Sequence, residues 1–563
     1  MANISEKESI VVPDADVQVS KKSLDDGSDS ASNKSIKESK DVPPAGYPRG
    51  LKLFVLTAAT LSATFLMSID QTIVGTAIPK ITAEFNGLDD VAWYAAAYFM
   101  TFGASQCSAG KVYKFFDMKW SFMGSMLIFE VGSLICGVAP SSNTLIVGRA
   151  IAGLGASGLS IGATSIISLS VEPAKRPLMM GLIAMTYCIS ACLGPVLGGV
   201  FTDEVSWRWC FYINLPIGGA AAVGVFLFFS LPAAAKPPQI PLYQKLLHLD
   251  PVGITLAMGS ITCFILALQY GGVSRSWGSS VVIGLIVGFV LIAAALAAWE
   301  LWLGEYAMMA PRLYKQRTLS VVAPFQFFFM GSYIVLLFYL PIYFQSALGA
   351  SPIRSGVDNL PLVTAAAVFA LAGGAFVMTT GLIWQTMMAS AGLSTVAVGC
   401  IYTFDLHTTT ATWVGLQFFI GAVMAFGIMQ GVTLAQSAVG PEDLPAVSAN
   451  LLFFNTLGGA FSSSAGQSAF LNQLLRTLPT SAPTVSPQLV LLTGASELRH
   501  VFGPDTLPGV LDAYMTGIRA AFAVSIAFAG TAFLLSFGIP MGRLPTPKQA
   551  KKEGKEAPIV GMV

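Results

Sequence analysis

The sequence predicts an all-α membrane protein with fourteen transmembrane helices, and three observations predict it. Charged residues make up only 11% of the 563, against 54% hydrophobic, with a mean hydropathy of +0.68. A soluble domain carries about 25% charged residues, so lipid must cover much of this surface. From residue 51 onward, apolar runs of about 20 residues recur, each long enough to cross roughly 30 Å of hydrocarbon. The Lys and Arg residues of the short connections fall on one side if fourteen runs cross.

Taken in order, residues 1–50 hold nine serines and seven Lys/Arg against nine Asp/Glu. Too little apolar surface is present to fold, which predicts a disordered cytoplasmic tail. No apolar core near the start resembles a cleavable signal peptide. The predicted spans are Leu53–Val74, Val91–Ala109, Trp120–Ala139, Leu145–Leu169, Leu178–Phe201, Cys210–Leu231, Val252–Tyr270, Val281–Leu303, Leu319–Phe344, Leu360–Thr380, Ile383–Phe404, Trp413–Ala435, Val447–Leu471 and Met515–Pro540. The tenth and eleventh meet at Gly381 with almost no connection. The arrangement reads as a six-helix half over 51–231, a linker with two inserted helices over 232–303, and a second six-helix half over 304–540. That second half carries an extracellular loop at 472–516, and 541–563 form a cytoplasmic tail. Parallel repeats of this kind place a substrate site between the halves.

Orientation follows from Arg49, Lys52, Lys111, Lys114, Lys119, Lys175, Arg176, Lys236, Lys245, Arg312, Lys315, Arg317, Lys548, Lys551 and Lys552, all on one side. The opposite connections are acidic: Lys80 is outweighed by Glu84, Asp89 and Asp90, and Asp203 and Glu204 flank Arg208. Both termini are therefore expected in the cytoplasm, in the plasma membrane or a vacuolar or vesicle membrane. The acidic pair Glu442 and Asp443 dissents, because it also falls inside.

Composition narrows the function. Net charge is +1 and no basic block is present, so nucleic acid is not an expected partner. His248, His407 and His500 all fall in predicted loops, and the seven cysteines lack metal-ligand or disulfide spacing. No metal, no catalytic residue and no enzyme activity are expected. A channel needs rings of pore-lining groups, which fourteen dissimilar helices do not offer.

Intramembrane charge is the sharpest functional signal, because an ionisable group in hydrocarbon costs at least about 2.5 kcal/mol on insertion scales. Asp70 lies late in the first span, Glu130 midway along the third and Arg149 early in the fourth. At 1.5 Å per residue, Asp70 and Arg149 both sit roughly 8–9 Å below the outer surface, with Glu130 about 6 Å deeper. Asp70 and Arg149 can pair or share a cavity. Burial and a movable arginine act in opposite senses on a carboxylate, the property a proton carrier needs; the alternative is a static ion pair that fixes helix packing. Small residues give a second signal. Gly153 and Ser157, then Gly158 and Gly162, line the fourth span, and Gly194, Gly198 and Gly199 with Pro195 line the fifth. Such stripes admit close backbone approach, and Pro195 invites a kink. Gln71, Gln326, Gln430, Gln436, Asn455 and Gln467 are candidate path-lining groups. The aromatics of the ninth span, Phe325, Phe327, Phe328, Phe329, Tyr333, Phe338 and Tyr339, suit either ring-bearing substrates or packing.

Four stretches carry a family resemblance. Residues 68–79, with Ser68, Asp70, Thr72 and Pro79, resemble the first-helix signature of the fourteen-spanner drug:proton antiporters of the major facilitator superfamily. Gly148, Arg149, Gly153 and Gly155 resemble the family's fourth-helix motif, and Gly194, Pro195, Gly198 and Gly199 its exporter motif. Trp207 to Pro216, including Asn214, resembles the fourteen-spanner signature, so the set covers residues 68–219 in family order. The connection after the second span departs from the pattern. It reads Gly110, Lys111, Lys114, Asp117, Lys119, with lysine where the family has an acid, which puts the usual cytoplasmic latch in question. That stretch, together with 129–136, 436–445 and 453–461, resembles fungal toxin and mycotoxin efflux pumps. The resemblance implies a major facilitator fold (6+2+6) and proton-coupled export of hydrophobic or amphipathic small molecules. It implies no cofactor beyond a proton gradient, a monomer, and Asp70, Glu130 and Arg149 as proton-coupling residues. A proton-coupled importer on the same fold, for example of siderophores, is the alternative.

Overall fold

The computed structural model describes residues 48, 50–85, 91–229, 237–238, 240–273 and 275–546. The two tails lie almost wholly outside these residues, as do Asp89, Asp90 and Lys236. The long helices are α1 (Leu51–Phe85), α2 (Val91–Phe115), α3 (Met118–Gly137), α4 (Ser142–Ser170), α5 (Arg176–Val200), α6 (Asn214–Phe228), α7 (Pro251–Tyr270) and α8 (Ser280–Leu303). They continue as α9 (Arg317–Ser346), α10 (Leu360–Thr380), α11 (Ile383–Tyr402), α12 (Thr410–Ile428), α13 (Leu444–Ser481) and α14 (Leu507–Ser536).

Each predicted span overlaps one of these helices, and two are split: a short helix Trp209–Tyr212 precedes α6, and a short helix Gln430–Ser437 follows α12. Among the described residues, however, 12 helical stretches are long and apolar enough to cross a membrane, not fourteen. The two that fall short are α2 and α11. Ser105, Gln106 and Ser108 dilute the apolar run of α2, and Gln385, Ser390 and Ser394 that of α11.

Local chemistry sets the helix ends. Asp117 caps α3 by accepting from the backbone N–H groups of Lys119 (3.0 Å) and Trp120 (3.2 Å). Asp250 caps α7 from a left-handed conformation, φ 48°. Its carboxylate holds that conformation by accepting from Gly253 N (2.8 Å), Trp299 Nε1 (2.8 Å) and Met308 N (3.1 Å). Gly381, at φ 71°, makes the sharp turn from α10 into α11, where a side chain would be strained.

Two expected boundaries move. α1 runs on to Phe85, beyond the expected end at Val74, and α13 runs to Ser481 with α14 starting at Leu507, so the predicted 472–516 loop is partly helical. Polar residues leave the hydrocarbon without ending a helix, since backbone hydrogen bonding continues in water.

The helices α1–α6 pack chiefly on one another, as do α9–α14, and α7 pairs with α8 beside α2 and α13. The fourth helix is the most enclosed of the candidate spans, at 83% buried, whereas α8 buries only Val282 and Glu300. One end of the bundle, the near end, holds the start of α1 and the finish of α14; Leu544 N donates to Gly381 O there (3.0 Å). The two helix groups meet along α5 with α10 and α2 with α13. At the near end the contact is tight. A Cβ at Gly181 would meet the backbone of Ala370, one at Gly374 that of Pro177, and one at Gly110 the side chain of Ala449.

Candidate functional site

Asp70 on α1 and Arg149 on α4 form an ion pair, Nη1 to Oδ2 2.5 Å, with both side chains 1% exposed. Helix ends do not place these groups; close packing does. Gly153 lets α4 approach α2 until a Cβ would collide with Tyr98 O and Thr101, and Gly194 brings α5 against Thr72 of α1. Arg149 also donates from Nε to Tyr94 O (2.9 Å) and from Nη1 to Asp70 O (3.3 Å). Its guanidinium carbon lies 4.4 Å from the centroid of the Tyr98 ring. Asn214, at the start of α6, donates from one amide nitrogen to Asp70 Oδ1 (3.3 Å) and to Ser133 Oγ on α3 (3.0 Å).

Glu130 lies on α3 one turn before Ser133, against α6. Neither carboxyl oxygen has a hydrogen-bond partner among the described residues, and Arg149 Nη2 and Asn214 Oδ1 are equally unpartnered. Buried polar atoms are usually satisfied, so four orphans around one ion pair mark the site. The structure thus brings Asp70 and Arg149 into contact and sets Glu130 beside the same network.

The other sequence candidates divide. Gln71 accepts from Tyr187 on α5 (2.7 Å). Gln326 donates to Ile428 O (2.9 Å), and Gln430 and Asn455 are buried with unpartnered oxygens. Gln436 joins Ser168 of α4 (3.0 Å) to Ser448 of α13 (2.8 Å), a crosslink between the two helix groups. Gln467 is exposed on α13. Gly198 is buried, Gly199 faces open space, and only the backbone of Pro195 is described. The α9 aromatics Phe325, Phe329, Tyr333 and Tyr339 are buried packing groups, and Phe338 is exposed.

The near end holds a second charge cluster. Lys114 pairs with Asp443 at 2.6 Å, and Arg312 pairs with the same carboxylate at 3.0 Å and with Glu305 at 3.2 Å. Burial pushes the Asp443 carboxyl up, but Lys114 and Arg312 together outweigh it and hold it below the usual carboxylate range. Lys114, which breaks the family pattern, therefore meets an acid from the other helix group. This removes the puzzle of an acidic connection on the basic side.

Sequence reasoning missed Asn214, Ser133, Tyr98 and Gly218 as parts of the site. One signal was available: Ser133 follows Glu130 by three residues and so shares its helix face.

Residues 60–241 match the model of the Major Facilitator Superfamily. The chain is 54% identical over 495 residues to the MFS-type transporter thnB of Trichoderma harzianum, covering 88% of this chain and 85% of that protein. It is 45% identical over 492 residues to the probable efflux pump gsfJ of Penicillium aethiopicum, covering 87% and 88%. In fold it is similar to a double-tryptophan mutant of XylE, with a TM-score of 0.56 at 12% identity over 89% of this chain and 99% of that one. The chain belongs to the major facilitator superfamily and is a membrane transporter, not an enzyme.

Proposed function

We infer that the chain is a proton-coupled exporter of hydrophobic or amphipathic small molecules, working by alternating access as a fourteen-span monomer of 6+2+6 helices. The observation that carries this reading is the buried Asp70–Arg149 pair beside a Glu130 carboxyl with no hydrogen-bond partner among the described residues. A static pair would have no use for a second, unsatisfied carboxyl held next to it. Protonation of Asp70 releases Arg149, and the release changes the packing of α1 on α4. A proton that binds one access state more tightly than the other shifts the balance between them.

Helices α2 and α11 complete the fourteen. At about 1.5 Å per residue each is long enough to cross roughly 30 Å. Both lie against neighbouring helices, α2 against α4 and α13, α11 against α12 and α14, so their polar residues need not meet lipid. The near end, with Lys111, Lys114, Arg312 and Arg317, is the cytoplasmic one. The Lys114–Asp443–Arg312 cluster and the glycine contacts close that end in the state described. Export is supported by the helix 5 pattern and by a relative named as a probable efflux pump.

The test is accumulation of labelled toxins in a drug-sensitive yeast expressing the protein. Lower accumulation that returns to the control level with a proton uncoupler is the expected result. Higher accumulation on expression would overturn export in favour of import.

A further inference from the structure

The side of the site facing α3 and α6 has an order of its own. Glu130 and Ser133 stand one turn apart on α3, and Gly218 and Asn214 one turn apart on α6. The two turns face each other: a Cβ at Gly218 would collide with Glu130 Oε1, and Asn214 bonds Ser133. Asn214 then reaches Asp70 with the second hydrogen of the same amide nitrogen. Because that nitrogen can only donate, Ser133 Oγ and Asp70 Oδ1 are both acceptors toward it, and the Ser133 hydroxyl proton is left free to be given away. The orphan atoms, both Glu130 oxygens and Asn214 Oδ1, lie along this one seam.

We propose that Glu130, Ser133 and Asn214 form a proton relay into Asp70, with Ser133 the transferring hydroxyl and Asn214 the positioning residue. This rests on the proton-coupled reading above. Asn214 holds Ser133 Oγ and Asp70 Oδ1 from one nitrogen, so the proton leaves the Glu130 carboxyl and reaches Ser133 Oγ through one bridging water, as Ser133 passes its own proton through a second water to Asp70 Oδ1. Glu130 ends as a carboxylate and Asp70 as a neutral acid, so charge is conserved and nothing is oxidised or reduced. Neutral Asp70 no longer holds Arg149. Gly218 is the one residue type that leaves the Glu130 carboxyl its place. The other titratable or charged groups facing the two carboxyls are Arg149 from α4, Tyr98 from α2, Cys136 from α3 and Cys210 from the short helix before α6, with Tyr187 of α5 beside Tyr98. From α6 itself come only the neutral Asn214 and Gly218.

The experiment uses the full chain in lipid vesicles, with rhodamine 6G as the probe of transport and a pH jump followed by time-resolved infrared spectroscopy of the carboxyl bands. Asp70→Asn and Glu130→Gln assign the bands. In Ser133→Ala, proton arrival at Asp70 slows on the order of 100-fold. Efflux kcat falls with it, KM is unchanged, and Ser133→Thr restores the rate. Asn214→Leu gives the same slowing where it folds, and Ser133→Ala, which loses one oxygen, decides the matter where it does not. Exchange as fast as wild type in Ser133→Ala overturns the relay. If rhodamine 6G efflux ignores an imposed proton gradient in the wild type, the exporter reading fails instead, whatever the carboxyl kinetics.

Discussion

The Asp70–Arg149 pair and the Lys114–Asp443–Arg312 cluster use the same chemistry at opposite degrees of burial. In the first, both side chains are 1% exposed and each ion has one charged partner. In the second, Asp443 is 8% exposed but has two cations, themselves 17% and 48% exposed. Burial makes the first pair costly to break, which on the proposed reading lets it report a single proton. Redundancy makes the second cluster tolerant of losing one partner, which suits a contact that opens and closes. On that reading a switch and a latch differ in solvent and multiplicity, not in residue type.

Breaking the comparison at its strongest point gives the largest effect. Arg149→Ala leaves Asp70 buried without its cation and should cost about 3–5 kcal/mol, read as a large drop in the thermal unfolding midpoint in detergent. Lys114→Ala leaves Arg312 on Asp443 and should cost about 0–1 kcal/mol. If both variants cost the same, burial is not what separates the two regions.

Packing around the switch comes next. Gly194→Ala drives a methyl into Thr72 and the backbone of Ile73 and should cost about 1–3 kcal/mol. Gly199→Ala, which faces open space, should be neutral or stabilise by up to about 1 kcal/mol. Equal melting of the two variants would sever the link between this stripe and the pair.

The smallest effect concerns pH at the latch. A carboxylate whose pKa is lowered in the folded protein contributes above its ordinary value and loses that contribution as pH falls through the lowered one. Asp443 is such a group. Near-end distances between spin labels should therefore stay constant down to about pH 4. Lys114→Ala should raise the pH at which the near end loosens. An unchanged midpoint in that variant would show that Arg312 alone sets the carboxylate.

Much of this was legible in the sequence because lipid enforces it. Apolar runs had to be helices, and Asp70, Glu130 and Arg149 inside them had to be either paired or functional. Asp70 and Arg149 were placed at equal depth by counting residues, and they touch. What stayed hidden depends on rotation about helix axes. Nothing in the sequence alone puts Asn214 between Asp70 and Ser133, or sets Gly218 against Glu130. Span number was also poorly legible where neighbouring helices, rather than composition, shield polar residues, as in α2 and α11. The partner of Lys114 was hidden for another reason: Asp443 lies 329 residues away.

The most direct test of the whole account is proton movement driven by cargo. Vesicles holding the wild-type protein, given a gradient of rhodamine 6G, should show proton flux opposite to the dye, and Asp70→Asn should abolish that flux while the protein still binds dye. Proton flux in Asp70→Asn equal to the wild type would contradict the account.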